Sequence, residues 1–161
     1  MHRPTLAISG QGSPESPAAD GLAEECGRIA AERGAAVLTG GLAGVMAAAA
    51  RGARGAGGLV VSILPGTDPA EGIADADVRI CTGAGEGRDL VLVASADAVI
   101  AIGGGWGTLA EIALARKLGR RVVLLETWGI APPPGWTPPG PEGGVRIAAS
   151  PEEAVDLALA A

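Results

Sequence analysis

Arg88 and Glu111 are the two charged residues whose surroundings suggest chemistry. Glu111 closes the run Gly103-Gly104-Gly105-Trp106-Gly107-Thr108-Leu109-Ala110-Glu111, and Arg88 sits in Gly83-Ala84-Gly85-Glu86-Gly87-Arg88-Asp89. A glycine-only turn feeding a helix start presents free N–H groups and the positive end of the helix dipole. Both favour an anion, a phosphate above all. A carboxylate beside such a site can stabilise a developing cation or orient water, and an Arg can hold a phosphate or carboxylate in bidentate fashion. Each residue also has a plainer reading. Thr108-x-x-Glu111 is spaced as a capping box, with Thr108 at the N-cap and Glu111 at N3. Ser150-Pro151-Glu152-Glu153 repeats that spacing at the last helix, with Pro at N1 and nothing catalytic around it. Arg88, between Glu86 and Asp89, reads equally as half of a surface ion pair.

Two other glycine loops accompany these residues. Gly10-Gln11-Gly12-Ser13-Pro14-Glu15 departs from the dinucleotide fingerprint, because its sixth position is Glu15. The second strand also ends in Thr39-Gly40-Gly41, with no acidic residue for a ribose hydroxyl, so a nicotinamide dehydrogenase is not expected. The loop can still bring backbone amides and the Ser13 hydroxyl to a ligand. Thr39-Gly40-Gly41-Leu42-Ala43-Gly44 lets backbone approach a ligand or lets a helix pack closely on the sheet. No GxxxxGK[ST] occurs, which removes a P-loop NTPase. The candidate ligand-binding residues are therefore Gly10, Ser13, Thr39, Gly40, Gly41, Gly104, Gly105, Trp106, Gly107 and Thr108, with Arg88 and Glu111 as the candidate catalytic pair.

The elements that must position them alternate along the chain. Apolar runs of strand length fall at 5–9, 36–38, 59–64, 78–81, 98–102, 121–125 and 145–148. Helical spacing of apolar residues predicts helices over 18–33, 44–56, 87–95, the stretch up to 118, and 151–160. Strands with almost no polar alternation belong in a parallel sheet covered on both faces. The expected fold is α/β, a single doubly wound, mainly parallel, Rossmann-like sheet with helices on both faces. Ligands then bind beyond the carboxyl ends of the strands, where the three glycine loops lie. Residues 127–144 interrupt the pattern. They hold six of the 12 prolines, plus Trp128 and Trp136, and read as an extended surface connection with its tryptophans packed down, or as a lid or subunit contact.

Composition narrows the function classes. The 161 residues suit one domain spanning 1–161. Twelve basic against 18 acidic residues give a net charge of −6, and Trp is the only aromatic type. Without a basic stripe or stacking aromatics, nucleic acid is not an expected partner. The mean hydropathy of +0.34 comes from Ala-rich segments too short to span a membrane. His2 is the only histidine, which argues against a His-based triad or zinc site. Cys26 and Cys81 read as two buried free thiols of a cytoplasmic protein. No metal and no required cofactor are expected.

Taken together, the Gly10-Gln11-Gly12-Ser13 loop, Thr39-Gly40-Gly41 with Gly44-Val45-Met46, Gly87-Arg88, and Gly105-Trp106-Gly107-Thr108 with Glu111 give the chain a resemblance over residues 5–125. It resembles the Lonely Guy-type phosphoribohydrolases, long mislabelled lysine decarboxylases, and their neighbours the molybdenum cofactor carrier proteins. The DNA-processing protein A fold is a more distant relative. The resemblance implies a small phosphorylated ligand and a homodimer or higher homo-oligomer. In the hydrolases the last block reads PGGxGTxxE, and the Arg and Glu that carry activity fall here on Arg88 and Glu111. Hydrolysis of the N-glycosidic bond of a nucleoside 5′-monophosphate, to free base and ribose 5-phosphate, is then the first expectation. Two departures point to the carrier branch: Gly103 stands where the hydrolases have proline, and Asp89 where they have lysine. The alternative is accordingly a non-catalytic carrier of a phosphorylated pterin, the molybdenum cofactor, with the acidic loop 65–77 bordering the pterin.

Overall fold

In the computed structural model, which describes residues 2–12, 16–129, 134 and 144–160, the chain forms seven strands and five helices. The order is β1 (Thr5–Gly10), α1 (Pro17–Glu32), β2 (Ala36–Thr39), α2 (Val45–Gly55), β3 (Val60–Leu64), β4 (Val78–Cys81), α3 (Arg88–Ser95), β5 (Ala98–Gly103), α4 (Trp106–Lys117), β6 (Arg121–Thr127), β7 (Val145–Ile147) and α5 (Pro151–Leu159). All seven strands are parallel, in the order β4-β3-β2-β1-β5-β6-β7. The expected doubly wound sheet is the fold observed.

Strand alternation sorts the core into two layers. Leu6, Ile8, Val37, Val60, Ile100 and Ile102 face one way and pack with α1, α2 and α5. Ala7, Leu38, Ile63, Val99 and Ala101 face the other way, toward α3 and α4. With no Phe or Tyr, close approach substitutes for bulk. A Cβ at Gly27 or Gly52 would meet the backbone of Ala49 or Glu24 on the facing helix, so α1 and α2 pack through their glycines. Gly34, at φ 82, ends α1 as the left-handed residue after the cap.

Three expectations need correction. Cys26 is buried as expected, but Cys81 is only half-buried, because β4 is an edge strand whose outer side has no neighbour. Trp128 is 36% exposed rather than packed down, because Trp106, which it leans on, is itself a surface residue. Trp136 lies outside the described residues, as does most of the proline-rich stretch. The helix containing Glu111 begins earlier than a capping box would have it, as set out below. Among the described residues, no helix is long and apolar enough to cross a membrane, and no cluster of His, Cys, Asp and Glu could hold a metal ion.

Candidate functional site

The chain winds outward from β1 to β4 on one side of the sheet, then returns to place β5 on β1's other edge. The loops leaving β1 and β5 therefore part in opposite directions, and the crevice between them is where this topology accepts ligands. A cleft of about 300 Å³ lies there. Gly10, Gln11 and Gly12 form the β1 wall. Gly105, Gly107 and Thr108 form the β5 wall. Leu42, Met46, Glu111, Glu86 and the start of α3, with Arg88 and Asp89, complete the lining. A larger groove of about 510 Å³ runs between α1 and α2. Its arginines are already paired, Arg28 with Glu25 and Glu32 and Arg51 with Glu24, so it offers no comparable set of unpaired groups.

The β5 wall is built by glycine. Gly103 and Gly104 have φ of 56° and 112°, and a Cβ on Gly104 would lie 2.5 Å from the Thr108 Cβ. That turn lets α4 start at Trp106, with Gly105 as its cap residue and no side-chain cap. The predicted capping box is thus not formed. Thr108 is the third residue of the helix rather than its cap, and Glu111 is the sixth. Among the described residues, the amides of Gly104, Gly105, Trp106, Gly107 and Thr108 donate no hydrogen bond within the chain; the first helical bond is Leu109 N–H to the Gly105 carbonyl at 3.2 Å. The Thr108 Oγ1 is buried without a hydrogen-bond partner, in a side chain only 3% exposed. Unpaired amides and an unpartnered hydroxyl at the positive end of a helix are groups that can donate to an anionic oxygen cluster.

Glu111 turns inward rather than back toward its helix start. Its Oε2 accepts a hydrogen bond from the Ser9 hydroxyl, across the gap between α4 and β1. Ser9 follows Ile8 in strand alternation, so it faces the α4 side of the sheet. Burial pushes the Glu111 carboxyl up to about 7, against the opposing pull of the Ser9 hydrogen bond; Asp89 and Glu86 add to the rise and Arg88 opposes it. Near neutral pH the group is poised between its acid and its base.

Arg88 is committed elsewhere. Its Nε donates to Asp89 Oδ1 at 2.8 Å, and its Nη1 donates to the carbonyls of Gly40 and, at 3.1 Å, Ile63. The pair with Asp89 is buried, at 12% and 9% side-chain exposure, not on the surface. Burial raises the Asp89 carboxyl despite the adjacent guanidinium. Among the described residues, Arg88 makes no ion pair with Glu111.

The sequence-predicted residues thus separate into groups. Gly10, Gly105, Gly107, Thr108, Arg88 and Glu111 line one cleft. Gly104 shapes the turn beneath it. Thr39, Gly40 and Gly41 stand back from the lining: the Thr39 hydroxyl accepts the Gly41 amide at 3.1 Å, and the Gly40 carbonyl holds Arg88. Trp106 points outward, 78% exposed, with its ring centroid 5.5 Å from that of Trp128. Ser13 lies outside the described residues. No residue of 65–77 lines the cleft. Sequence reading missed Ser9, whose signal was a polar residue at the carboxyl end of an otherwise apolar strand, and Asp89, a buried carboxylate.

A family model, the SLOG cluster4 family, matches residues 3–155. The chain belongs to the SLOG cluster4 family. An uncharacterized protein of Archaeoglobus fulgidus is 42% identical over 139 residues, which is 86% of this chain and 83% of that protein. Among solved structures, the molybdenum cofactor binding protein from Rippkaea orientalis superposes with a TM-score of 0.84 at 34% identity, covering 98% of this chain and 96% of that one. The molybdenum cofactor carrier protein from Chlamydomonas reinhardtii gives 0.79 at 33% identity, covering 96% and 94%. This SLOG chain is therefore similar over nearly its whole length to proteins named for binding or carrying that cofactor.

Proposed function

We propose that the protein binds a small phosphorylated heterocycle in the β1/β5 cleft and carries it without turning it over, with a phosphorylated pterin of the molybdenum cofactor kind as the ligand. The observation that carries this reading is the state of Arg88. Its guanidinium is anchored to two backbone carbonyls and Asp89 and forms no pair with Glu111. A site built for glycosidic cleavage would aim that charge at the substrate. The amides of residues 104–108 and the Thr108 hydroxyl fit a terminal phosphate, which would also satisfy the buried side-chain hydroxyl that has no partner among the described residues. With its carboxyl near 7, Glu111 can meet that phosphate as a neutral acid, which removes much of the repulsion two like charges would suffer there. The full-length likeness to two proteins named for the molybdenum cofactor supports the pterin as the ligand class.

One observation keeps hydrolysis of a nucleoside 5′-monophosphate as the second reading. A buried carboxyl poised near 7 beside an anion cradle is also what general acid–base catalysis requires. In that reaction water adds across the bond between C1′ and the base, releasing base and ribose 5-phosphate. The test uses purified protein. Bound pterin is sought after release and oxidation, and nucleoside 5′-monophosphates are assayed for free base. Pterin retained at near one equivalent, with no base released, is the expected result. Base release that disappears in Glu111→Gln would overturn the carrier reading in favour of the enzyme.

A further inference from the structure

The triglycine turn has no side chains with which to hold its own shape, and glycine is the residue that loses most freedom on ordering. Two of its carbonyls are held from the neighbouring strand. The Thr127 hydroxyl donates to the Gly103 carbonyl, and the Trp128 indole N–H donates to the Gly105 carbonyl at 3.3 Å. Thr127 meets Gly103 because β6 is bulged. Ile102 pairs with Leu125, but Gly103 pairs with Thr127, so Glu126 is the extra residue and adopts a left-handed φ of 48°. The bulge sets Thr127 opposite Gly103, where a regular ladder would set it opposite Gly104.

A planar trans peptide points its C=O and its N–H in opposite directions. The Gly103 carbonyl shares a peptide with the Gly104 amide, and the Gly105 carbonyl with the Trp106 amide. The Gly103 carbonyl, drawn toward β6, turns the Gly104 amide away from β6, and the Gly105 carbonyl, held by both the Trp128 indole and the Leu109 N–H of α4, keeps the Trp106 amide turned back from the helix. On β5's other side is β1, whose Gly10-Gln11-Gly12 loop is the facing wall of the cleft. We infer that Thr127 and Trp128 are positioning residues for the anion cradle, holding the Gly104 and Trp106 amides toward the ligand through the carbonyls of Gly103 and Gly105. Neither side chain lines the cleft. This rests on the reading of the cleft as a phosphate site.

The test follows the backbone amides by NMR while inorganic phosphate, and separately AMP, is titrated into the full chain. Thr127→Val removes the donor at nearly constant shape, Thr127→Ser restores it, and Trp128→Phe keeps the ring without its N–H. In the wild type the Gly104 and Trp106 amide signals are expected to move on phosphate addition. Thr127→Val should weaken phosphate binding about tenfold and Trp128→Phe about threefold, the effect of losing one hydrogen bond or a weaker one. Thr127→Ser should bind like the wild type. Amides remote from the turn should be unmoved in every variant, which general destabilisation would not allow. Phosphate binding by Thr127→Val and Trp128→Phe as tight as the wild type, with the same amide shifts, would overturn this inference and leave the phosphate site standing. A wild type that shows no response to phosphate or AMP would overturn both.

Discussion

Ser150 to Glu153 and Thr108 to Glu111 carry the same Ser/Thr-x-x-Glu spacing, each at the beginning of a helix, and the two stretches behave differently. At α5 the Ser150 hydroxyl accepts the Glu153 amide at 3.2 Å, and the Glu153 carboxylate accepts the Ala149 amide at 2.7 Å. Both side chains serve the helix end. At α4 the glycine turn begins the helix two residues before Thr108, so neither side chain is placed to cap it. Thr108 is left unpaired and buried, and Glu111 reaches across to Ser9 on β1. A helix start that is capped by its own side chains has little to offer a ligand. One built on glycine keeps its amides available, and its threonine and glutamate become part of the cleft.

The largest expected effect that separates the two regions comes from pH. The Glu111 carboxyl is raised from 4.5 to about 7, chiefly by burial, so between those values the folded chain holds a proton that the unfolded chain has released. The contribution of this group to stability, on the order of 3 kcal/mol, should therefore be full below about pH 4.5 and lost as pH rises through about 7. Urea unfolding at a series of pH values would show the slope, and Glu111→Gln should flatten it. Next is Gly104→Ala. At φ 112°, with Thr108 against the new methyl, it should cost about 1–3 kcal/mol and disturb ligand binding. Gly105→Ala, with φ −104° and open space around it, should leave stability unchanged. The smallest is Ser150→Ala, which should cost about 1 kcal/mol in thermal unfolding through loss of the α5 cap and leave ligand affinity alone.

These regions also mark how far the sequence could be read. The parallel sheet and nearly every element were legible, because apolar runs of strand length alternating with helix-period segments admit few arrangements. The pairing of Gly105, Gly107, Thr108, Arg88 and Glu111 in one cleft was legible too, from glycine loops at strand ends. The capping-box error came from a local motif overruled by three consecutive glycines, whose backbone freedom shifts a helix start in a way that side-chain spacing does not record. Ser9 was missed because its partner is 102 positions away. The burial of Arg88 was not legible, because its two carbonyl partners, Gly40 and Ile63, come from other strand ends and leave no mark on its neighbours in sequence.

The most direct measurement sets Thr108→Val beside Ser150→Ala, recording unfolding stability and affinity for AMP or inorganic phosphate on the same preparations. If the α4 start is a ligand cradle, Thr108→Val removes a buried hydroxyl that has no partner among the described residues. It should keep or slightly raise stability while weakening binding about tenfold. Ser150→Ala should lose stability and bind normally. Thr108→Val that loses stability like Ser150→Ala, with affinity unchanged, would contradict the account and return Thr108 to an ordinary helix residue.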